Sequence, residues 1–187
     1  MTMDLLKGVS NCLGPLVIAS SEFRGDVTVE VPKARITEVL VRLRDDPALA
    51  FDFLVDLFGV DNLDLYKKAA KPEKKTGGEG DAAEEPKPEG PPPPRFEVNY
   101  LLLSLSTNRR LQVKVRVPED DLSVPSVTGL WKAATWPERE TYDMFGIRFP
   151  GHPDLRRLLM WDEFPGHPLR KDYPLEGRGE VRILRYE

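Results

Sequence analysis

Cysteine is nearly missing from this chain: of its 187 residues only Cys12 carries a thiol. One cysteine can form no intramolecular disulfide, no CxxC pair and no set of thiolates able to hold an iron-sulfur cluster. Any redox cofactor therefore has to belong to another protein. Histidine is almost as scarce, with His152 and His167 the only two, and together with Cys12 they leave too few soft ligands for a closed zinc site. Long apolar runs are absent as well. None approaches the roughly 18 to 20 residues of a membrane span, and the opening stretch MTMDLLKGVSNCLGPLVIASS, with its early Asp4 and interrupted apolarity, is unlike a signal peptide. A cytoplasmic chain is expected. A net charge of -4 and a pI near 5.4 exclude a general nucleic-acid binder, whose phosphate contacts need a basic face. No GxSxG is spelled, and no GxGxxG or GxxxxGK[ST] follows a strand.

What is present is 40% hydrophobic, enough for one domain with a real core plus appendages. Lys67 to Pro94 holds no Val, Ile, Leu, Phe, Tyr or Trp and closes on Pro91 to Pro94. Such a segment cannot bury enough apolar surface to offset its ordering entropy, so a disordered, charge-balanced insertion is expected. Around it the periodicities are readable. Val27 to Val31 alternates as a strand, and Pro32 opens a helix with Ile36, Val39, Leu40 and Leu43 on one face. Phe51 to Val60 reads as a strand broken at Gly59. Phe96 to Ser104 and Leu111 to Val117 flank a turn at Thr107 and Asn108, an antiparallel hairpin with one wet face. Thr135-Trp136-Pro137-Glu138 has the form of a capping box for a last helix, which Gly146 ends. On that helix Arg139 and Asp143 are four apart, and Arg139 reads as a structural ion-pair partner.

The fold class follows: α+β, a two-layer domain with a mixed, mainly antiparallel sheet and helices packed on one face, plus an extended C-terminal tail. Residues 1–66 and 95–146 make the domain, 67–94 the insertion and 147–187 the tail. Prolines at 150, 153, 165, 168 and 174 bar a long helix from the tail. Only Asp154 to Trp161 has room for a turn or two. Yet Phe149, Leu155, Leu158, Leu159, Trp161, Phe164 and Tyr173 are too apolar to float in water, and aromatics with Arg in an extended segment suit adhesion to a partner.

Two chemical readings of this region are available. The repeated FPGHP could bring His152 and His167 to a metal completed by Asp154 or Asp162, as in a metal-dependent hydrolase, but no HExxH-type spacing places them on one face. Two Gly-His-Pro turns with imidazoles bonded to local or partner groups is the plainer reading. Glu138, Glu140 and Asp143 resemble a carboxylate cluster, although Glu138 and Glu140 point about 200° apart on a regular helix.

Glu138 to Gly177, ERETYDMFGIRFPGHPDLRRLLMWDEFPGHPLRKDYPLEG, resembles the signature region of the 30 kDa subunit family of respiratory complex I, the C subunit of bacterial NADH-quinone oxidoreductases. The pattern is carried by Glu138-Arg139-Glu140, Asp143-Met144-Phe145, His152, Arg156 and Leu158-Leu159. Arg95 to Trp131 and the first helix with FDFLVDLFGVD are similar too. The insertion after Tyr66 and a short N-terminus depart from the family without touching the signature. The resemblance implies a non-catalytic structural and assembly subunit of the peripheral arm, holding no cofactor, with FMN, iron-sulfur clusters and quinone elsewhere in the complex. It implies docking on the 49 kDa-type subunit (the D subunit) and neighbouring iron-sulfur subunits, at the cytoplasmic side of the bacterial membrane and touching that membrane only through the complex. The alternative that the same resemblance leaves is the homologous subunit of a membrane-bound nickel-iron hydrogenase-type complex, which shares the tail pattern. The expected partner surface comprises Glu138, Arg139, Glu140, Asp143, His152 and Arg156, and continues through Arg157, Trp161, His167, Arg170, Lys171 and Tyr173. Arg156 and Arg157 are expected to matter more to assembly than to domain stability.

Overall fold

In the computed structural model, residues 2–65 and 94–181 are described; the composition-based reading of the insertion lies outside them. Helix α1 (Thr2–Leu13) leads into a hairpin of β1 (Ala19–Phe23) and β2 (Asp26–Val31). Helix α2 (Ile36–Asp45) follows, then β3 (Phe53–Asp61), β4 (Phe96–Ser104), β5 (Arg109–Val117) and helix α3 (Thr135–Phe145). The sheet order is β1-β2-β5-β4-β3, antiparallel throughout except where β2 lies parallel to β5.

Alternation decides which face is dry. Val29, Val113, Tyr100 and Leu57 are register neighbours across four strands, as are Val31, Val115, Val98 and Gly59; this face is covered by α1, α2 and α3, whose apolar residues join the same core. The opposite face carries Arg116 bonded to Glu30 and Glu97, with Gln112 donating to Asn99 at 2.8 Å. Helices therefore lie on one face of a mixed, mainly antiparallel sheet, as the patterning implied.

Several boundaries differ from the sequence reading. Pro32 precedes a 3-10 turn, Lys33–Arg35, and α2 proper begins only at Ile36. Helix α1 and strand β1 were not foreseen, and ASSEF in particular is exposed at every position and carries no apolar alternation. Gly59 does not break β3; it sits inside the strand, where a Cβ would meet Phe145 at 2.7 Å and Thr141 at 3.0 Å. The glycine lets α3 lie directly on the sheet. Gly59→Ala is expected to force these two apart and cost about 1–3 kcal/mol, readable as a lowered midpoint in urea denaturation.

Candidate functional site

Helix α3 is the support from which the site is built. Its start corrects the capping-box expectation: Thr135 already has helical dihedrals, φ -54 and ψ -45, and its hydroxyl donates backwards to the Lys132 carbonyl at 2.8 Å. Glu138 turns instead to the loop before the helix, accepting from the Val127 N–H and the Ser126 hydroxyl, both at 2.7 Å. A local pattern lost to a tertiary one because the buried Val127 amide needed an acceptor. Burial raises the Glu138 carboxyl above its ordinary range, against the pull of those two donors and of His152.

One turn on, Arg139 makes no ion pair with Asp143. Its guanidinium donates to the carbonyls of Arg156 at 3.1 Å and Arg157 at 2.9 Å, and lies over the Trp136 ring. Asp143 is turned to the same stretch of tail. Its Oδ2 accepts three consecutive backbone N–H groups, from Leu158 (3.0 Å), Leu159 (2.7 Å) and Met160 (2.9 Å), while Oδ1 accepts from Arg157 at 2.7 Å. Burial alone would raise this carboxyl; the Met160 amide, Arg157, and the Leu159 and Leu158 amides outweigh it and hold Asp143 below the usual carboxylate range. Arg157 continues outwards to the carbonyls of Gly166 at 3.2 Å and Phe164 at 2.7 Å. Buried α3 side chains thus grip the tail by its main chain.

The tail returns the grip at both ends of α3. His152 bridges through Nε2 to the Thr135 carbonyl at 3.1 Å, while its Nδ1 accepts from the Asp154 amide at 3.0 Å, which fixes the proton on Nε2. His167 donates from Nδ1 to the Asp143 carbonyl at 2.9 Å, and Arg170 from Nε to the Phe145 carbonyl at 2.7 Å. Gly146, left-handed at φ 77, closes the helix. Carbonyls that a helix C-terminus leaves open are met by donors from the tail, where a positive group also suits the helix dipole. The two imidazoles serve opposite ends of one helix, so they do not converge. Among the described residues no group of three His, Cys, Asp or Glu could hold a metal ion, which overturns the two-histidine metal site. Nor does this chain fit a cluster: its one thiol, Cys12, lies 3.7 Å from the Arg42 carbonyl between α1 and α2.

A second anchor joins the tail to the sheet. Buried Arg95 clamps Asp61 with two bonds of 2.9 and 2.7 Å and reaches Glu119 and Asp172 at 2.8 Å each. Asp61 also accepts from the Lys171 amide at 2.9 Å. Trp161 meets Phe164 edge-on at 4.8 Å, and Phe164 lies 6.0 Å from Tyr173. Between these anchors the described part of the tail has no helix or strand, and Asp154 to Trp161 forms no helical turn.

Of the expected partner residues, Glu138, Arg139 and Asp143 are buried within this chain. His152, Arg157, Trp161, His167, Arg170 and Tyr173 are half-buried; Glu140, Arg156 and Lys171 are exposed. Beside them Trp136 is 59% exposed, Leu159 58%, Leu169 52% and Leu175 100%. Sequence reasoning missed Ser126, Asp61 and Arg95, whose partners are distant in the chain and left no local spacing to read.

The fold and site define an α+β scaffold that fixes an irregular tail along one helix and presents apolar side chains from it. Residues 29–179 match the family described as "Respiratory-chain NADH dehydrogenase, 30 Kd subunit", and this chain belongs to that family. The chain is 45% identical over 177 residues to the C subunit of the NADH-quinone oxidoreductase of Roseiflexus sp. (strain RS-1), covering 95% of this chain and 86% of the relative. It is 47% identical over 161 residues to the corresponding C subunit of Legionella pneumophila (strain Corby), covering 84% and 71%. Among solved structures, the trypsin-resistant fragment of Nqo5 superposes with a TM-score of 0.58 at 32% identity, over 83% of this chain and 100% of that one. A chain of the membrane-bound sulfane sulfur reductase (MBS), an archaeal respiratory membrane complex, shares the fold at TM-score 0.64 and 20% identity, over 92% and 85%. No helix among the described residues is long and apolar enough to cross a membrane.

Proposed function

We propose that this chain is the structural and assembly C subunit of a proton-translocating NADH-quinone oxidoreductase, docking through its tail on the 49 kDa-type D subunit and neighbouring iron-sulfur subunits. Electrons would pass from NADH through FMN and iron-sulfur clusters to quinone in those other subunits, on the cytoplasmic side of the cell membrane. The observation that carries this reading is the clasp. Asp143, Arg139 and Arg157 fix the tail's backbone so that Leu159 points outwards, with Leu169 and Leu175 exposed farther along the tail, and an apolar group held in a fixed position binds without a large ordering cost.

The clasp also divides labour among the partner residues. Buried Glu138, Arg139 and Asp143 act by holding the tail; exposed Glu140, Arg156 and Lys171 are placed to touch a partner. Purifying the membrane complex through a tag on this chain is expected to bring down the peripheral-arm subunits, and recovery of the chain alone would refute the reading. Arg156→Ala is expected to leave the melting temperature of the isolated chain within about 1 °C while lowering the fraction assembled. Arg157→Ala, cut out of the clasp, lowers both.

A further inference from the structure

At the C-terminal end of α3 the tail leaves one polar corner incomplete. Arg170 gives its Nε to the Phe145 carbonyl and lies over the Phe96 ring at 5.2 Å, but among the described residues no carboxylate bonds to its two terminal nitrogens. The neighbouring cation takes the acids of this corner: Arg95, over the same ring at 4.6 Å, bonds Asp61, Glu119 and Asp172. His167 is also half-served. Its Nδ1 donates to the Asp143 carbonyl, which leaves Nε2 as a lone pair with no donor among the described residues.

These two open groups lie close together over one glycine. Arg170 Nη2 and His167 Nε2 each lie 2.6 Å from where a Cβ on Gly146 would stand, so they are at most about 5 Å apart, close enough for the two oxygens of one carboxylate to accept from both. Both side chains are half-buried, so water competes for them less than at an open surface. Resting on the docking function argued above, we propose that Arg170 and His167 form a carboxylate-receiving notch, filled in the assembled complex by an Asp or Glu side chain of the protein on which the tail docks.

The chemistry has a proton in it. Arg170 donates to the incoming carboxylate as it stands, whereas His167 Nε2 must first take a proton from solvent. In the free chain burial disfavours the imidazolium, Arg170 and Arg157 repel it, and the Asp143 carbonyl and carboxylate only partly compensate, so His167 sits below its usual value. A carboxylate at Nε2 reverses that balance. Docking therefore takes up a proton, and affinity strengthens as pH falls.

The test measures binding of the full-length chain to a peripheral arm purified from cells that lack it, between about pH 6 and about pH 8. Wild-type affinity is expected to rise on acidification by up to about tenfold per pH unit, the limit for one linked proton. Arg170→Gln is expected to weaken binding by about 10- to 100-fold. His167→Asn, whose amide keeps the donor to the Asp143 carbonyl but removes Nε2, is expected to flatten the pH profile. Unchanged affinity in Arg170→Gln, or a flat wild-type profile, overturns the notch. So does a loss confined to the melting temperature of the isolated variants. If the wild-type chain fails to bind the depleted arm at all, the docking function itself falls, a result distinct from wild-type binding that Arg170→Gln leaves intact.

Discussion

Asp143→Asn is expected to lower the melting temperature of the isolated chain by about 10 °C, corresponding to about 3–5 kcal/mol for breaking a buried pair. The carboxylate is fully buried and accepts three amides on one oxygen and Arg157 on the other. An asparagine can keep one of these acceptors, but its NH2 then faces either the Arg157 guanidinium or the row of amides, donor against donor. The loss concentrates in the tail, so hydrogen exchange at Leu158 to Met160 is expected to accelerate before exchange in β4 and β5. Acid gives a second signature. The folded-state pKa of Asp143 is depressed, so its stabilisation is complete above the ordinary carboxylate value of about 3.9 and is lost as pH falls through the depressed one. Melts recorded at successively lower pH below about 4 are expected to converge for wild type and Asp143→Asn; parallel curves would show that the carboxylate's charge is not what holds the tail.

Arg95→Met is expected to cost a similar amount, about 3–5 kcal/mol, for a different reason. Asp61 and Arg95 are each only 6% exposed, so removal of the cation strands an anion away from water. The Lys171 and Leu63 amides remain on Asp61 but cannot neutralise it. Adding Asp61→Asn to Arg95→Met removes the stranded charge and is expected to recover part of the loss in urea denaturation. If the double variant is instead the sum of the two singles, the pair is not coupled and the anchor is only geometric.

Much of this architecture is legible from spacing alone. Strand β5 alternates Leu111, Val113, Val115 and Val117, and each is at most 2% exposed; Ile36, Val39, Leu40 and Leu43 lie on the buried face of α2; Gly146 ends α3 in the left-handed region. Periodicity reports a face that is half dry, and these elements have one. Strand β1 does not, which is why it left no trace. The site was legible differently. The forty-residue resemblance located it, but the roles inside it depended on pairings such as Asp143 with Leu159, sixteen apart, or Arg95 with Asp172, seventy-seven apart. Local reading paired Arg139 with Asp143 and Thr135 with Glu138 because those were the neighbours it could see. Tertiary contacts took Arg139, Asp143 and Glu138 elsewhere, and Thr135 bonds back one turn to the Lys132 carbonyl.

The parallel seam between β2 and β5 sets the tempo of this molecule. The β1–β2 hairpin and the β4–β5 hairpin close over short turns, but Thr28 meets Gln112 only after a separation of 84 residues along the chain. Loop entropy has to be given up before that contact returns anything, so folding speed is governed by the seam rather than by either hairpin. Until the seam closes, the valines of β2 and β5 have no register to share. A newly made chain is therefore exposed for longest at the middle of its own sheet, where β2 waits for β5.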